Sequence, residues 1–402
     1  VRFEGFVRAD GRVGTRNHVV VVPTVICAAA VARDIAVAAP GAIALEQHFG
    51  CDFERDLTAR VARVLAHTAD HPNVYATLFV SLGCEIMHPA MRAEFASLQQ
   101  AGVRCEWLSI QGSGGRRRAV DAGSGIARQW VAEAGATPRQ TVDARHLVLG
   151  VECGGSDAFS GLSANPALGV AADQLVQLGG TVILSETSEM FGAERDLLAR
   201  ARDAAVRQRI MDFIAREEEF VASLGLGELA GSVTLAPGNE DGGLTTIEEK
   251  SLGCVRKGGR STIQDFVEYG ARVRGPGLFL MDTPGHDVRS MTGMAAGGAN
   301  LMGFTTGRGT PTGHATVPVI KIGSNPRVVL DMPDVIDVNA GSVVEGTCSV
   351  EEVGREILEC LLRVASGELT HAERNGHREF SVAPPHHPRR ESPTTCCQEV
   401  CP

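Results

Sequence analysis

The sequence predicts an α/β protein of two domains, each built on a mainly parallel sheet of Rossmann- or flavodoxin-like type, followed by a short disordered C-terminal tail. Three observations carry that prediction. The chain has 402 residues, 44% hydrophobic and 21% charged, which is the usage of packed cores and long enough for two domains. Short β-branched apolar runs alternate with stretches of helical periodicity, the pattern of strands joined by crossover helices. Glycine is abundant at 47 residues, as many tight turns require.

The first predicted domain covers residues 1–140. Residues 19–25 read as a buried strand and 28–38 as the helix behind it. A short strand at 43–47 is followed by a helix over 52–69. VYATLFVSL at 74–82 is the clearest strand, followed by a helix over 89–101, a strand over 103–110 and a closing helix over 116–134. Residues 136–143 read as a linker. The second domain, 141–383, opens with a strand over 146–152, a helix over 166–178 and a strand over 181–185. One long or two short charged helices follow over 189–224. Residues 237–253 read as a turn-rich insertion, because Gly and Asn outweigh periodicity there. Strands are predicted at 278–282, 301–304 and 317–322, and a last helix at 350–365. The polar, Pro-rich stretch 384–402 reads as a disordered tail.

The formal net charge is −10, and the only basic run, Arg116-Arg117-Arg118, reads as a solvated helix face. Nucleic acid and anionic membrane surfaces both require concentrated positive charge and are excluded as partners. No apolar run reaches the roughly 18 residues of a membrane span, and no secretory signal is visible, so a cytoplasmic protein is expected. Lysine is rare: only Lys250, Lys257 and Lys321 occur, against 35 arginines. Arg keeps its proton at any working pH whereas a buried Lys can lose it, so these three are candidates for work that needs an ammonium group.

Four polar knots flank predicted strands: residues 10–17 (DGRVGTRN), with Arg16 and Asn17; His48-Phe49-Gly50-Cys51; Gly83-Cys84-Glu85; and Cys153-Gly154-Gly155-Ser156-Asp157. Imidazole, thiolate and carboxylate are the usual donors for iron, zinc or manganese, and an adjacent Gly lets backbone approach a ligand closely. His48, Cys51, Cys84, Glu85, Cys153 and Asp157 are therefore the candidate metal ligands. Cys27 and Cys105 read as small core residues. Further downstream, Ser156, Asn165, Glu186, Asn239, Thr306 and Arg308 fall in stretches rich in hydroxyl-reading groups, and Arg308 suits a substrate carboxylate. Any one such turn is also ordinary turn chemistry. There is no Walker-type phosphate loop, no dinucleotide fingerprint after the first strand and no nucleophile elbow.

GRVGTRN, HFGC, LGCE, CGGSDAFSGLSANPALG, LSETSEMFGAE, PGNEDGGLTTIEEKSLG, MDTPG and FTTGRGTPTG occur in this order, from Gly5 to Phe380. Together they resemble the altronate/galactarate dehydratase family. The resemblance implies a cytoplasmic enzyme that removes water from a sugar acid to give a 2-keto-3-deoxy acid. It also implies a divalent metal, Fe2+ first, with Mn2+ or Zn2+ as alternatives. Family members often carry a small SAF-type domain ahead of the region seen here. The chain thus resembles the large subunit of split relatives, which include sulfolactate sulfo-lyases. A separate small SAF-domain subunit and a homo-oligomer are expected partners. On this reading Lys250 is the base for the C2 proton and His314 its partner acid or base. Two alternatives stay open: a non-catalytic sugar-acid-binding subunit, and an iron–sulfur dehydratase that uses Cys51, Cys84 and Cys153.

Overall fold

The computed structural model describes residues 1–223 and 235–385. Three sheets organise the chain. The first strand, β1 (Arg2–Val7), pairs antiparallel with β2 (Val13–Gly14) and with β7 (Gln140–Asp143). The expected linker is therefore partly a strand. The exposed polar residues of β7 hide this in the sequence, since their pairing with β1 is settled across more than 130 residues.

Between these strands lies a parallel four-stranded sheet of β3 (His18–Pro23), β4 (Ala42–Ala44), β5 (Val74–Ser81) and β6 (Cys105–Ser109). Its order is β4-β3-β5-β6, the flavodoxin-like arrangement. The crossovers are α1 (Ala29–Ala38), α2 (Arg55–Ala69) and α3 (His88–Gln100), and α4 (Arg116–Ala136) follows β6. All four match the predicted helices to within about three residues at either end. Val19 and Val21 face one apolar cluster while Val20 and Val22 face another, so the strand is apolar on both sides, as a parallel sheet covered by helices requires.

The third sheet has seven parallel strands in the order β10-β11-β9-β8-β12-β13-β14. They are β8 (Val148–Cys153), β9 (Thr181–Leu184), β10 (Ile263–Val267), β11 (Gly277–Met281), β12 (Leu301–Thr306), β13 (Val319–Gly323) and β14 (Val338–Asn339). Helices α5 (Ala164–Gln177), α6 (Glu194–Ala199) and α7 (Ala204–Ser223) follow, so the charged stretch is two helices. The expected insertion at 237–253 is instead helical: α8 (Pro237–Asp241) and α9 (Ile247–Cys254). Thr246 caps α9 by accepting from the Glu249 amide, and the helix-forming IEEKSL run outweighs the flanking glycines. The remaining helices are α10 (Asp287–Ala296), α11 (Pro326–Asp331), α12 (Gly341–Val344), α13 (Val350–Ala365) and α14 (His371–Arg374). The predicted disordered tail lies, apart from residues 384 and 385, outside the described residues.

The order reverses between β8 and β12, placing a topological switch point beside Cys153. Parallel α/β sheets gather ligands beyond the carboxyl ends of their strands at such points. No described helix is long and apolar enough to cross a membrane.

Candidate active site

Beyond the carboxyl ends of β8 and β9, six ionisable side chains converge out of water. Cys153 ends β8, Glu186 and Glu189 follow β9, Lys250 and Cys254 come from α9, and Lys257 from the short turn after it. All are buried, and Glu186 and Lys257 completely so. Lys257 Nζ lies 2.6 Å from Glu186 Oε2, 2.6 Å from Cys254 Sγ and 3.4 Å from Cys153 Sγ. Lys250 Nζ donates to Glu189 Oε1 at 2.8 Å, within reach of Asn239 Oδ1 at 3.4 Å. Glu186 is the one non-glycine residue with positive φ, 64°, among those described, and its amide donates to Thr283 Oγ1 at 2.7 Å. Such backbone strain persists only where its surroundings over-determine it.

Burial and the Glu186 carboxylate push Glu189 up to about 8, against the opposing pull of Lys250. The Cys153 thiol donates toward Cys254 across 3.8 Å. That contact, aided by the Lys257 ammonium, draws Cys254 down to about 7 and holds Cys153 high. On the opposite face of β8, Glu152 accepts from Ser185 and Ser290, and burial raises its pKa. The site thus holds a carboxyl and a thiol that can exchange protons near neutrality, each beside a lysine.

Cys153, Glu186 and Cys254 bring ligand atoms within 4.8 Å of one another, the only such set of three among the described residues. Two thiols and a carboxylate suit iron or zinc in donor type. However, the Lys257 ammonium already takes the cation's place, at 2.6 Å from two of the three. The set as it stands therefore does not fit a metal alongside Lys257.

The residues expected from sequence fall into three places. Lys250, Glu186, Cys153 and Asn239 meet in the cluster, although Lys250 pairs with Glu189 and Glu186 with Lys257. His48, Cys51 and Cys84 lie exposed on loops of the four-stranded sheet, and Glu85 is buried beneath them, accepting from Thr24 Oγ1 and the Gly83 amide. The rest are held by the fold itself. Arg16 makes a two-pronged ion pair with Glu373 and donates to three carbonyls, which leaves no N–H for a substrate carboxylate. Asn17 donates to the Ala134 carbonyl, and Asn165 joins Gly253 to Thr305. The Ser156 carbonyl accepts from Asn239, and Thr306 closes a turn by accepting from the Gly309 and Thr310 amides. Asp157 accepts from Ser160, Ser324 and Asn325, so both its oxygens are engaged away from any metal. Arg308 is exposed. Burial lowers His314 to about 3, so it stays neutral at working pH and cannot switch there.

Sequence reasoning passed over Glu189 and Cys254, and it singled out Lys257 only as one of three scarce lysines. The scarcity of lysine was the available signal, for Lys250, Lys257 and Lys321 are all buried. A cavity of about 1010 Å³ between the two units, lined by Arg12, Arg145, Arg272 and Arg274, lies at the opposite, amino ends of β8 and β9. Arg12 and Arg272 there are both paired with Asp70.

Two family descriptions match this chain: D-galactarate dehydratase/altronate hydrolase, second domain, over residues 5–135, and D-galactarate/altronate dehydratase, C-terminal, over residues 144–386. It is 34% identical to the altronate dehydratase of Bacillus subtilis, across 94% of this chain and 77% of that protein. It is 35% identical to the (2R)-sulfolactate sulfo-lyase subunit beta of Chromohalobacter salexigens, across 94% of this chain and 96% of that subunit. It is 34% identical to the L-threo-forming galactarate dehydratase of Escherichia coli, across 95% of this chain and 76% of that enzyme. With both segments matched and dehydratases similar over nearly its whole length, the chain belongs to the D-galactarate/altronate dehydratase family of hydro-lyases.

Proposed function

We propose that this chain dehydrates a polyhydroxylated sugar acid of altronate or galactarate type to a 2-keto-3-deoxy acid, with a divalent metal, ferrous iron first, as cofactor. The observation that carries the reading is the buried Glu186–Glu189–Lys250–Lys257 cluster, which lies at the switch point within the matched segments. A proton α to a carboxylate is weakly acidic, so elimination requires a base there and positive charge near the carboxylate as electrons flow into it. Bound metal supplies Lewis acidity to such a carboxylate and its neighbouring hydroxyl. In the chain itself, Glu189 is the group poised near neutrality to take a proton. The Lys250 ammonium, 2.8 Å away, stabilises the charge left behind and can return a proton to the departing hydroxyl. Lys257 pairs with the Glu186 carboxylate at 2.6 Å and balances its charge. Burial excludes water and strengthens each of these interactions.

Elimination of sulfite from sulfolactate is the second reading, favoured by the 96% coverage of the sulfo-lyase subunit. A small SAF-type polypeptide that completes the enzyme, a homo-oligomeric assembly and a cytoplasmic location belong to the same proposal. The test is a panel of hexonates, hexarates and sulfolactate, assayed with Fe2+, Mn2+ or Zn2+, with and without a co-expressed small subunit. Formation of 2-keto acid from a sugar acid is expected, and Glu189→Gln should lower kcat by about 10²–10⁴-fold. Sulfite release without any sugar-acid turnover would transfer the chain to the second reading.

A further inference from the structure

Two thiols meet inside the buried cluster. Cys153 Sγ at the end of β8 and Cys254 Sγ at the end of α9 lie 3.8 Å apart, although 101 residues separate them in the chain. A disulfide holds its sulfurs about 2.05 Å apart, so a closure of roughly 2 Å would join them. The two sulfurs have different surroundings. Lys257 Nζ is 2.6 Å from Cys254 Sγ but 3.4 Å from Cys153 Sγ. Cys153 instead faces carboxylates, with Glu186 Oε1 at 3.7 Å and Glu189 Oε2 at 3.9 Å. A close ammonium favours the thiolate, and a close carboxylate favours the thiol.

Burial alone makes a cysteine inert. It drives the Cys105 thiol up to about 11 and that of Cys360 up to about 12. Cys254 is more deeply buried than either, yet the Cys153 thiol and then the Lys257 ammonium draw it down to about 7. The pair thus has an attacking sulfur and a resolving one. In such a pair the thiolate is oxidised and the neighbouring thiol traps the product. Neither sulfur has a task in the proton chemistry of Glu189 and Lys250. A site that admits a sugar acid also admits hydrogen peroxide, which is far smaller.

We infer that Cys254 and Cys153 are a modification site for hydroperoxides, closing to a disulfide that shuts the active site. The inference rests on the dehydratase reading for the entry path and the consequence, and not for the chemistry of the thiols. The Cys254 thiolate attacks one peroxide oxygen, the O–O bond breaks, and the departing hydroxide takes up a proton to become water. Cys254 is then a sulfenic acid. Cys153 Sγ attacks that sulfur, the S–O bond breaks, and the hydroxyl leaves as water with the Cys153 proton, which Glu189 or Glu186 can carry. Two electrons pass from the two sulfurs to the peroxide, and a thiol reductant returns them. Lys257 then loses its thiolate neighbour and is left facing Glu186. Lys250, four residues before Cys254 on the same face of α9, is drawn away from Glu189.

Treating the reduced full chain with stoichiometric hydrogen peroxide and mapping its peptides without reductant tests this. The peptides bearing Cys153 and Cys254 should appear linked, lighter by two hydrogens than their sum. The rate of linkage should be half-maximal near pH 7, where an ordinary thiol with its value of 9.0 reacts slowly. Cys153→Ser should hold Cys254 as a sulfenic acid that dimedone labels. Both cysteines still free to alkylate in the treated, unfolded parent chain would overturn the site. A cross-link through Lys257, or a sulfinic acid at Cys254 beside a free Cys153, would overturn the pairing. Turnover is measured after the peroxide is removed and ferrous iron replenished. It should fall by roughly 10²-fold as the linkage forms, as a misplaced catalytic group costs, and return with dithiothreitol. Linkage with undiminished turnover of a sugar acid would overturn the shut-off and leave the dehydratase reading standing. Linkage in a chain whose reduced form turns over no sugar acid would support the modification site and remove the dehydratase reading.

Discussion

At the scale of single residues, the three lysines separate by their partners. Lys250 and Lys257 face carboxylates. Lys321 on β13 is completely buried, lies 3.2 Å above the Phe304 ring and has no hydrogen-bond acceptor. Burial draws it down to about 7, and the Asp287 and Glu152 carboxyls only partly oppose this. In the unfolded chain it returns to its ordinary value of 10.5. Between those two pH values the unfolded chain binds a proton that the folded one has released, so stability rises with pH through that window. Below about 7 the folded protein bears the full cost of the buried charge. Lys321→Met should therefore be more stable than the parent at pH 6, by roughly 1–4 kcal/mol, and the gain should shrink toward pH 10. Denaturant unfolding at several pH values measures this, and a gain independent of pH would refute the account. The rarity of lysine was legible in the sequence. Which lysine has a counter-charge was not, because Glu186 and Glu189 reach them across more than 60 residues.

At the scale of elements, the cluster depends on how closely α5 approaches the turn after α9. A Cβ at Gly169 on α5 would lie 2.1 Å from the Arg256 carbonyl, next to Lys257 in the chain. That neighbour is backbone, which cannot rotate aside. Gly169→Ala should thus cost about 1–3 kcal/mol, as overpacking does. Because the turn carries Lys257, the activity loss should exceed what the lost stability explains. Thermal unfolding alongside kcat at a temperature where the variant is fully folded checks this, and unchanged kcat there would count against it. The ANPALG motif marked α5 correctly. That its glycine is the floor under another element could not be seen, since the contact lies 87 residues away in the chain.

At the scale of the whole molecule, the two large sheets are joined through a polar knot beside an apolar cluster in which Val64 and Leu65 share a core with Tyr269 and Ala296. Asn300 Nδ2 donates to the carbonyls of Val13 and His146, and its Oδ1 accepts from the Val148 amide. Its own carbonyl accepts from Thr15 and Asn73. Removing the side chain leaves buried backbone groups unpaired, so Asn300→Ala should cost about 1–3 kcal/mol. Calorimetry should show it as a lower or split transition, and an unshifted single peak would refute it. Asn300 stood between two predicted strands with no motif to mark it, since its partners come from three separate stretches of sequence.

Local pattern alone determined the strands and helices of the parallel sheets and, through motifs such as CGGSD and GGLTTIEEKSLG, the family. Apolar periodicity and turn chemistry are properties of neighbouring residues, so the sequence expresses them directly. Tertiary structure alone decided that Arg16, Asn165 and Asp157 hold the fold, that Lys257 fills the place between Cys153, Glu186 and Cys254, and that Cys27 is exposed where a core residue was expected. Each of those outcomes turns on which distant groups share a low-dielectric space or a sheet edge, because charge balance and hydrogen-bond satisfaction are settled in space and not along the chain.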